Sequence, residues 1–212
     1  VVVGEDAPTL AAAVERAPPN TTVRLPPGTY EGNVTLDKPL TVTGAGNATR
    51  VVGDGTGTVL RVAAPRVALT DLNVSGVGPN GTATELSGNV ANWTQRVELA
   101  YGRGDAGVEV GQAPGTLLAN LTVTTPSNGF IVRRSPGAVL ENVTVRGSPE
   151  PLEGYMGVVA MYDRVVVQRS TFVDGRDGVY THRADGSVIR HNHMESGRFG
   201  VHEMYTSNLL VR

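Results

Sequence analysis

The sequence predicts an all-β fold, a right-handed parallel β-helix with coils of about 22 residues. A glycine followed by an apolar residue recurs at Gly107, Gly129, Gly157, Gly178 and Gly200, with spacings of 22, 28, 21 and 22 residues. A second short apolar run keeps the same step through the later half of the chain. Strands this short cannot all pair as hairpins, whereas coiling stacks equivalent strands in parallel so that each coil buries its apolar residues on the next.

The elements before the repeat follow from local patterns. Residues 8–17 carry apolar residues at helical spacing after Pro8 and Thr9, which predicts a short helix that caps the first coil. Residues 18–46 alternate β-branched runs with proline and glycine turns, which is typical of short strands. Residues 76–104 interrupt the repeat and are interpreted as a long loop excursion from one coil.

The whole chain, residues 1–212, is interpreted as one β-helix domain. Since the sequence stops within a predicted strand at Arg212, we expect the β-helix to be truncated at this end. Strand alternation points one set of residues inward, including Val108, Phe130 and Val158. Glu203 occupies such an inward position, where an apolar residue is expected, so the register of its strand is in question.

The composition and net charge of the chain exclude some classes of function and favour others. The chain has no cysteine, which excludes disulfides and thiolate metal sites, and its net charge of −2 argues against nucleic-acid binding. No apolar run is long enough to span a membrane. Eight of the asparagines stand in Asn-x-Ser/Thr sequons, an excess that favours an exported protein, periplasmic or at the extracellular surface. Asparagine and threonine also favour the tight turns of such a fold.

Two stretches resemble known families. The opening PTLAAAVERAPPNTTVRLPPGTYEGNVTLDKPLTVTGAG resembles the start of pectin-lyase-like β-helix proteins, and the closing GVHEMYTSNLLVR resembles the NosD family. The NosD resemblance implies an exported, non-enzymatic copper accessory protein that helps to mature nitrous oxide reductase. Its implied partners are the metalloenzyme that receives copper and the components of an ABC transporter.

The outward positions of adjacent coils carry soft metal ligands. Met161, His182 and Met204 lie four residues after the glycines of successive coils, and His202 lies on the same outward phase as Met204. Neighbouring strands are about 4.8 Å apart, close to the ligand separation at one metal. Thioethers and imidazoles favour Cu(I). We therefore predict an exposed copper site of His182, His202 and Met204, with Met161 as an adjunct. The alternative is that these side chains only decorate the sheet.

Two further classes stay open. A carbohydrate-active enzyme, such as a polysaccharide lyase, epimerase or hydrolase, needs carboxylates or a basic proton acceptor. Its best candidates are Asp174, Arg176 and Asp177, helped by Asp163 and Arg164, although Asp-Gly pairs also form ordinary turns. A non-catalytic carbohydrate-binding or adhesion module would need none of these residues.

Overall fold

The chain forms the predicted right-handed parallel β-helix, which a computed structural model describes for residues 1–81, 93–150 and 154–212. Two sheets run along the β-helix in the described part of the chain, a first sheet of 13 strands and a second sheet of seven strands. In both sheets the strands pair in parallel with equivalent strands of the neighbouring coils. The second sheet comprises β3 (Val34–Leu36), β6 (Leu60–Val62), β8 (Ala106–Gly111), β10 (Asn128–Arg133), β13 (Met156–Met161), β16 (Asp177–His182) and β19 (Phe199–Met204).

The first sheet holds the remaining strands. It comprises β1 (Thr21–Arg24), β2 (Gly28–Glu31), β4 (Leu40–Thr43), β5 (Thr49–Val52), β7 (Ala68–Ser75), β9 (Leu117–Thr124), β11 (Ala138–Glu141), β12 (Thr144–Arg146), β14 (Val165–Gln168), β15 (Thr171–Val173), β17 (Val188–Arg190), β18 (His193–Glu195) and β20 (Leu210–Val211). A single 3₁₀ turn among the described residues spans Gly46–Ala48.

The predicted capping helix is α1 (Leu10–Arg16). Thr9 is its N-cap, because the Thr9 hydroxyl accepts a hydrogen bond from the Ala12 N–H at 3.2 Å. The helix buries its apolar face, which includes Leu10 and Val14, in the main core. Among the described residues, no helix is long and apolar enough to cross a membrane.

The interior of the β-helix is filled as the repeat predicts. Val108, Phe130, Val158 and Val179 stack in register along the second sheet, and all four are fully buried. Glu203 keeps this register opposite Thr181, so its strand does not slip. Its carboxylate is exposed at the last coil, where it accepts a hydrogen bond from a backbone N–H at 2.8 Å.

The long excursion contains a second helix, so the prediction of a loop over residues 76–104 is wrong for part of its length. Helix α2 (Trp93–Tyr101) follows residues 82–92, which lie outside the described residues. Its Val97 is buried in a separate apolar cluster on the outside of the second sheet, together with Ile131, Val159 and Tyr180. Every residue of β10, β13 and β16 is therefore buried, on both faces of the sheet.

Two of the sequon asparagines lie at a bend within successive coils. Asn120, inside β9, and Asn142, between β11 and β12, have positive φ, and each donates a side-chain hydrogen bond of 2.8 Å to the equivalent position of the previous coil. The Asn142 amide reaches Asn120, and the Asn120 amide reaches Asp71. Turn geometry thus accounts for these two positions.

Candidate functional site

Two columns of side chains on the outer face of the second sheet bear on the candidate site. The His202 column comprises Glu109, Ile131, Val159, Tyr180 and His202, and the His182 column comprises Gly111, Arg133, Met161, His182 and Met204. Parallel in-register pairing places each residue beside its counterpart in the next coil. In the His202 column, the polar residues Glu109 and His202 lie at the two ends, and the apolar middle packs with Val97 of α2.

Asp177 is the centre of a polar cluster at the last coils. Its carboxylate is fully buried and accepts two hydrogen bonds from the Arg198 guanidinium, at 3.0 Å and 2.8 Å. Its Oδ2 also accepts a hydrogen bond from Nδ1 of His202 at 2.8 Å. The Arg198 guanidinium also lies 3.3 Å from Nδ1 of His202, but the contact with Asp177 is shorter, and a carboxylate can only accept. We therefore assign the proton of neutral His202 to Nδ1, which leaves Nε2 as the basic nitrogen.

His202 borders a cleft of about 310 Å³ between α2 and the outer face. Val97, Tyr101, Tyr180 and Met204 make most of its wall apolar. Tyr101 on the helix side is half-buried, and its ring lies 5.3 Å from the ring of Tyr180 on the sheet side. The Tyr180 ring in turn meets His202 edge to face at 5.0 Å. The arrangement combines one positioned base with an apolar wall, which is the usual composition of a small-molecule site.

His182 lies in the neighbouring column with no hydrogen bond. Its side chain is fully buried, and neither ring nitrogen has a partner. Burial lowers the pKa of His182, and nearby Arg183 lowers it further, so the ring is neutral at ordinary pH. Tyr162 and Tyr205 contact it edge to face, with ring centroids 6.2 Å and 5.7 Å away.

An ionic cluster fastens α2 to the sheet. The Glu98 carboxylate accepts a hydrogen bond from the Tyr162 hydroxyl at 2.8 Å and two from Arg134 at 3.1 Å and 3.2 Å. Burial opposes ionisation of Glu98, but these hydrogen bonds outweigh it and lower its pKa. Burial and the Glu98 hydrogen bond raise the pKa of Tyr162 to about 12. Arg133 joins this cluster to Glu109 through a second ion pair.

The predicted metal ligands share the outer face, as the phase of the repeat predicts, but they do not form an exposed site. Met161 is buried in the apolar cluster that contains Val97 of α2 and lies beside Gly102, whereas His182 is buried between the rings of Tyr162 and Tyr205. His202 stands in a different column and hydrogen-bonds Asp177. The described residues contain no group of three or more histidine, aspartate or glutamate side chains placed to hold a metal.

The predicted acidic candidates separate in the structure. Asp177 faces the outer side of the second sheet, whereas Asp174 has a positive φ and lines a different crevice beside Met194. Arg176 contributes its backbone carbonyl, which accepts the Arg198 N–H at 2.6 Å. Asp163 and Arg164 lie in the turn after β13. Of this set, only Asp177 borders the candidate site.

Three residues of the site were missed at the sequence level. Arg198 follows Asp177 by 21 residues, which is one coil, so the repeat could have paired them. Tyr180 shares the outward phase of His202 and could have been found in the same way. Tyr101 gives no such signal, because it belongs to the helix outside the repeat.

Comparisons with known proteins support the fold. No protein-family model matches the sequence, and no curated protein matches it. Among solved structures, a pectin methylesterase in complex with a hexasaccharide superposes with a TM-score of 0.61 at 12% identity, over 92% of this chain. PemA from Erwinia chrysanthemi gives 0.58 at 12% identity over 91% of this chain, and Escherichia coli YbhC gives 0.59 at 11% over all of it.

These similarities support the fold, a right-handed parallel β-helix. The chain spans 65% of the first structure, 63% of PemA and 84% of YbhC. The β-helix fold that the opening stretch implied is thus confirmed, and it is shared with pectin methylesterases, whereas the comparisons give no support to the NosD family in particular. Copper binding, the partner metalloenzyme and the transporter stay predictions.

Proposed function

We propose that the chain is an exported carbohydrate-active enzyme that abstracts a proton from a uronic acid residue of a polysaccharide, as a lyase or an epimerase does. The observation that carries the proposal is the hydrogen bond between His202, which lines the cleft, and the buried carboxylate of Asp177 behind it. The fold neighbours include a protein whose structure was solved with a hexasaccharide. The excess of sequons supports export.

His202 has the surroundings of a general base. The hydrogen bond to Asp177 fixes the orientation of the imidazole and stabilises the charge that it gains on taking a proton. Arg198 holds Asp177 through two hydrogen bonds, so the carboxylate itself cannot rotate away. The basic Nε2 is the nitrogen left for a substrate.

The cleft suits one sugar unit of a chain. Its volume of about 310 Å³ lies at the lower end of the range for ligand pockets. The C–H-rich face of a pyranose ring can pack on the half-buried ring of Tyr101, which lies across from the sheet. Burial, with smaller contributions from Tyr101 and Asp177, raises the pKa of Tyr180, so its phenol stays neutral beside the base.

The lining favours proton abstraction over glycoside hydrolysis. Hydrolysis ordinarily uses two carboxylates that flank the scissile bond. The described residues lining the cleft include no carboxylate, and the base beside it is a histidine. In a uronic acid residue, the carbon next to the carboxyl group carries the proton that such a base would remove, and the electron pair of the broken C–H bond moves into the carboxyl group, whose developing negative charge the site has to stabilise. Elimination of the adjacent glycosidic oxygen, which leaves with a proton, gives an unsaturated sugar; return of a proton to the opposite face gives the epimer.

A screen of neutral and uronate-containing polysaccharides tests this proposal. Ultraviolet absorbance detects the double bond that elimination forms, and incorporation of solvent deuterium at the carbon next to the carboxyl group detects proton exchange. We expect wild type to process a uronate polymer and His202→Gln to be about 10² to 10⁴ times slower. His193→Gln is the matched control, because His193 lies exposed in the first sheet beside Glu195.

Two results would contradict the proposal. One is a His202→Gln protein as active as wild type, which would remove the base from the reaction. The other is binding of a polysaccharide without either reaction, which would identify a non-catalytic binding module.

A further inference from the structure

We infer that Met161, His182 and Met204 form a largely buried binding site for one soft monovalent metal ion of the Cu(I) or Ag(I) class, which adjoins the His202 cleft because Met204 lines both. The three residues are consecutive members of one column, since Met161 pairs with His182 and His182 pairs with Met204 across β13, β16 and β19. His182 therefore has a thioether on each side, one strand spacing away, about 4.8 Å along the sheet.

The unsatisfied imidazole is the observation that points to a ligand. Both ring nitrogens of His182 are buried without a hydrogen-bond partner in the structure. Buried polar groups are nearly always paired, and an exception calls for an explanation. A metal–nitrogen bond would satisfy one nitrogen where neither flanking methionine can donate or accept a strong hydrogen bond.

The chemistry of the surroundings selects a soft ion of low charge. Two thioethers and one neutral imidazole offer no negative charge, which disfavours the harder divalent ions. Met161 is 1% exposed, and the apolar cluster around it contains Ile131, Val159 and Tyr180. The cationic side chain of Arg133 precedes Met161 in the same column, which further disfavours a divalent ion.

The neighbouring residues leave a route to the site at the last coil. Tyr205 contacts His182 with ring centroids 5.7 Å apart, and Tyr205 is 62% exposed. Met204 is half-buried, whereas Met161 is covered by the chain around Gly102 after α2. An ion would therefore enter past Met204 and Tyr205 and meet His182 before Met161.

The sulfur atom of each methionine can be removed by substitution with leucine, which changes the shape of the side chain little, so that the metal-binding test does not depend on a change in folding. Met161→Leu and Met204→Leu conserve side-chain volume, and such exchanges are generally well tolerated. Met156→Leu is the matched control, because Met156 is buried in the same apolar cluster but pairs with Asp177 in another column. His182→Gln removes the imidazole.

The experiment is an anaerobic titration of the whole chain with Cu(I), and with Ag(I) as a redox-inert substitute, against a chromophoric competitor. Wild type should bind one ion, and each methionine variant should bind about tenfold or more weakly, while Met156→Leu matches wild type. His182→Gln should lose the site. Ag(I) should raise the thermal unfolding temperature of wild type and of Met156→Leu, but not that of His182→Gln.

The proposal is overturned if wild type binds Cu(I) and Ag(I) no better than His182→Gln does. It is equally overturned if the leucine variants in the His182 column match Met156→Leu, or if only Zn(II) binds. X-ray absorption of the Cu(I)-loaded protein should show both sulfur and nitrogen ligands, and ligands of oxygen and nitrogen alone would contradict the site. None of these results depends on polysaccharide processing.

Discussion

Replacing Arg198 by alanine should destabilise the last coils more than any other arginine substitution in this region. Arg198 is 29% exposed at its side chain, but the Asp177 carboxylate that it holds is fully buried. The variant would leave that charge with His202 as its hydrogen-bond partner. Breaking a buried ion pair costs about 3–5 kcal/mol. Because part of Arg198 is exposed to solvent, this cost is reduced, and we expect the free energy of unfolding to fall by about 2–4 kcal/mol.

Arg190→Ala is the matched control. Arg190 lies in the same coil and donates two hydrogen bonds, at 2.9 Å and 2.7 Å, to the buried amide of Gln168. Its loss leaves a neutral acceptor rather than a charge, so we expect a cost of about 1–2 kcal/mol. Adding Asp177→Asn to Arg198→Ala should recover part of the stability, because the uncompensated charge is then removed.

Hydrogen exchange is the assay suited to this fold, since the stability of a stacked repeat is a sum of local and nearest-neighbour contributions. Amides of β16 and β19 should exchange faster in Arg198→Ala, whereas those of β8 and β10 should serve as an unchanged internal reference. Equal exchange in the Arg198 and Arg190 variants would refute the reasoning, as would the absence of any recovery in the double variant.

The remaining predictions concern packing, the helix anchor and the turns. Gly129→Ala should cost about 1–3 kcal/mol in a denaturation experiment, because the added Cβ would lie 2.5 Å from a backbone oxygen of the next coil, while Gly111→Ala should be close to neutral because nothing lies within 4 Å. The pKa of Glu98 is lowered, so its contribution to the stability of the contact between α2 and the sheet is complete above its ordinary pKa of 4.5 and is lost as the pH falls below that value. Limited proteolysis near α2 should therefore increase on acidification, and Glu98→Gln should abolish that pH dependence. Asn120→Ala should cost about 1–2 kcal/mol in a thermal denaturation experiment, because it removes the hydrogen bonds that Asn120, at a φ of 55°, makes with Asp71 and Asn142 in the neighbouring coils.

The repeat predicts a large part of this molecule because neighbouring coils are related by a nearly fixed number of residues. Counting from the glycine of each coil is enough to place Met161, His182 and Met204 in one column, which strand pairing confirms. The same count keeps Glu203 in register with Thr181.

The burial of the outer face could not be predicted in this way. It depends on α2, whose sequence shares no period with the coils. Val97 packs on strands that are distant in sequence, and Glu98 binds Arg134 and Tyr162, which directly follow two of those strands. The role of Asp177 could not be predicted either, for a related reason. An Asp-Gly pair is typical of a turn, and only the arrangement of Arg198 and His202 around it shows a buried charge.

Mapping of oligouronide binding by two-dimensional amide NMR tests the central claim most directly. A short uronate oligomer should shift the amide signals of residues around the cleft, including Val97, Tyr101, Tyr180 and His202, and His202→Gln should abolish turnover of the same oligomer. Shifts confined to the first sheet, or no shifts with any uronate oligomer, would contradict a carbohydrate site between α2 and the outer face.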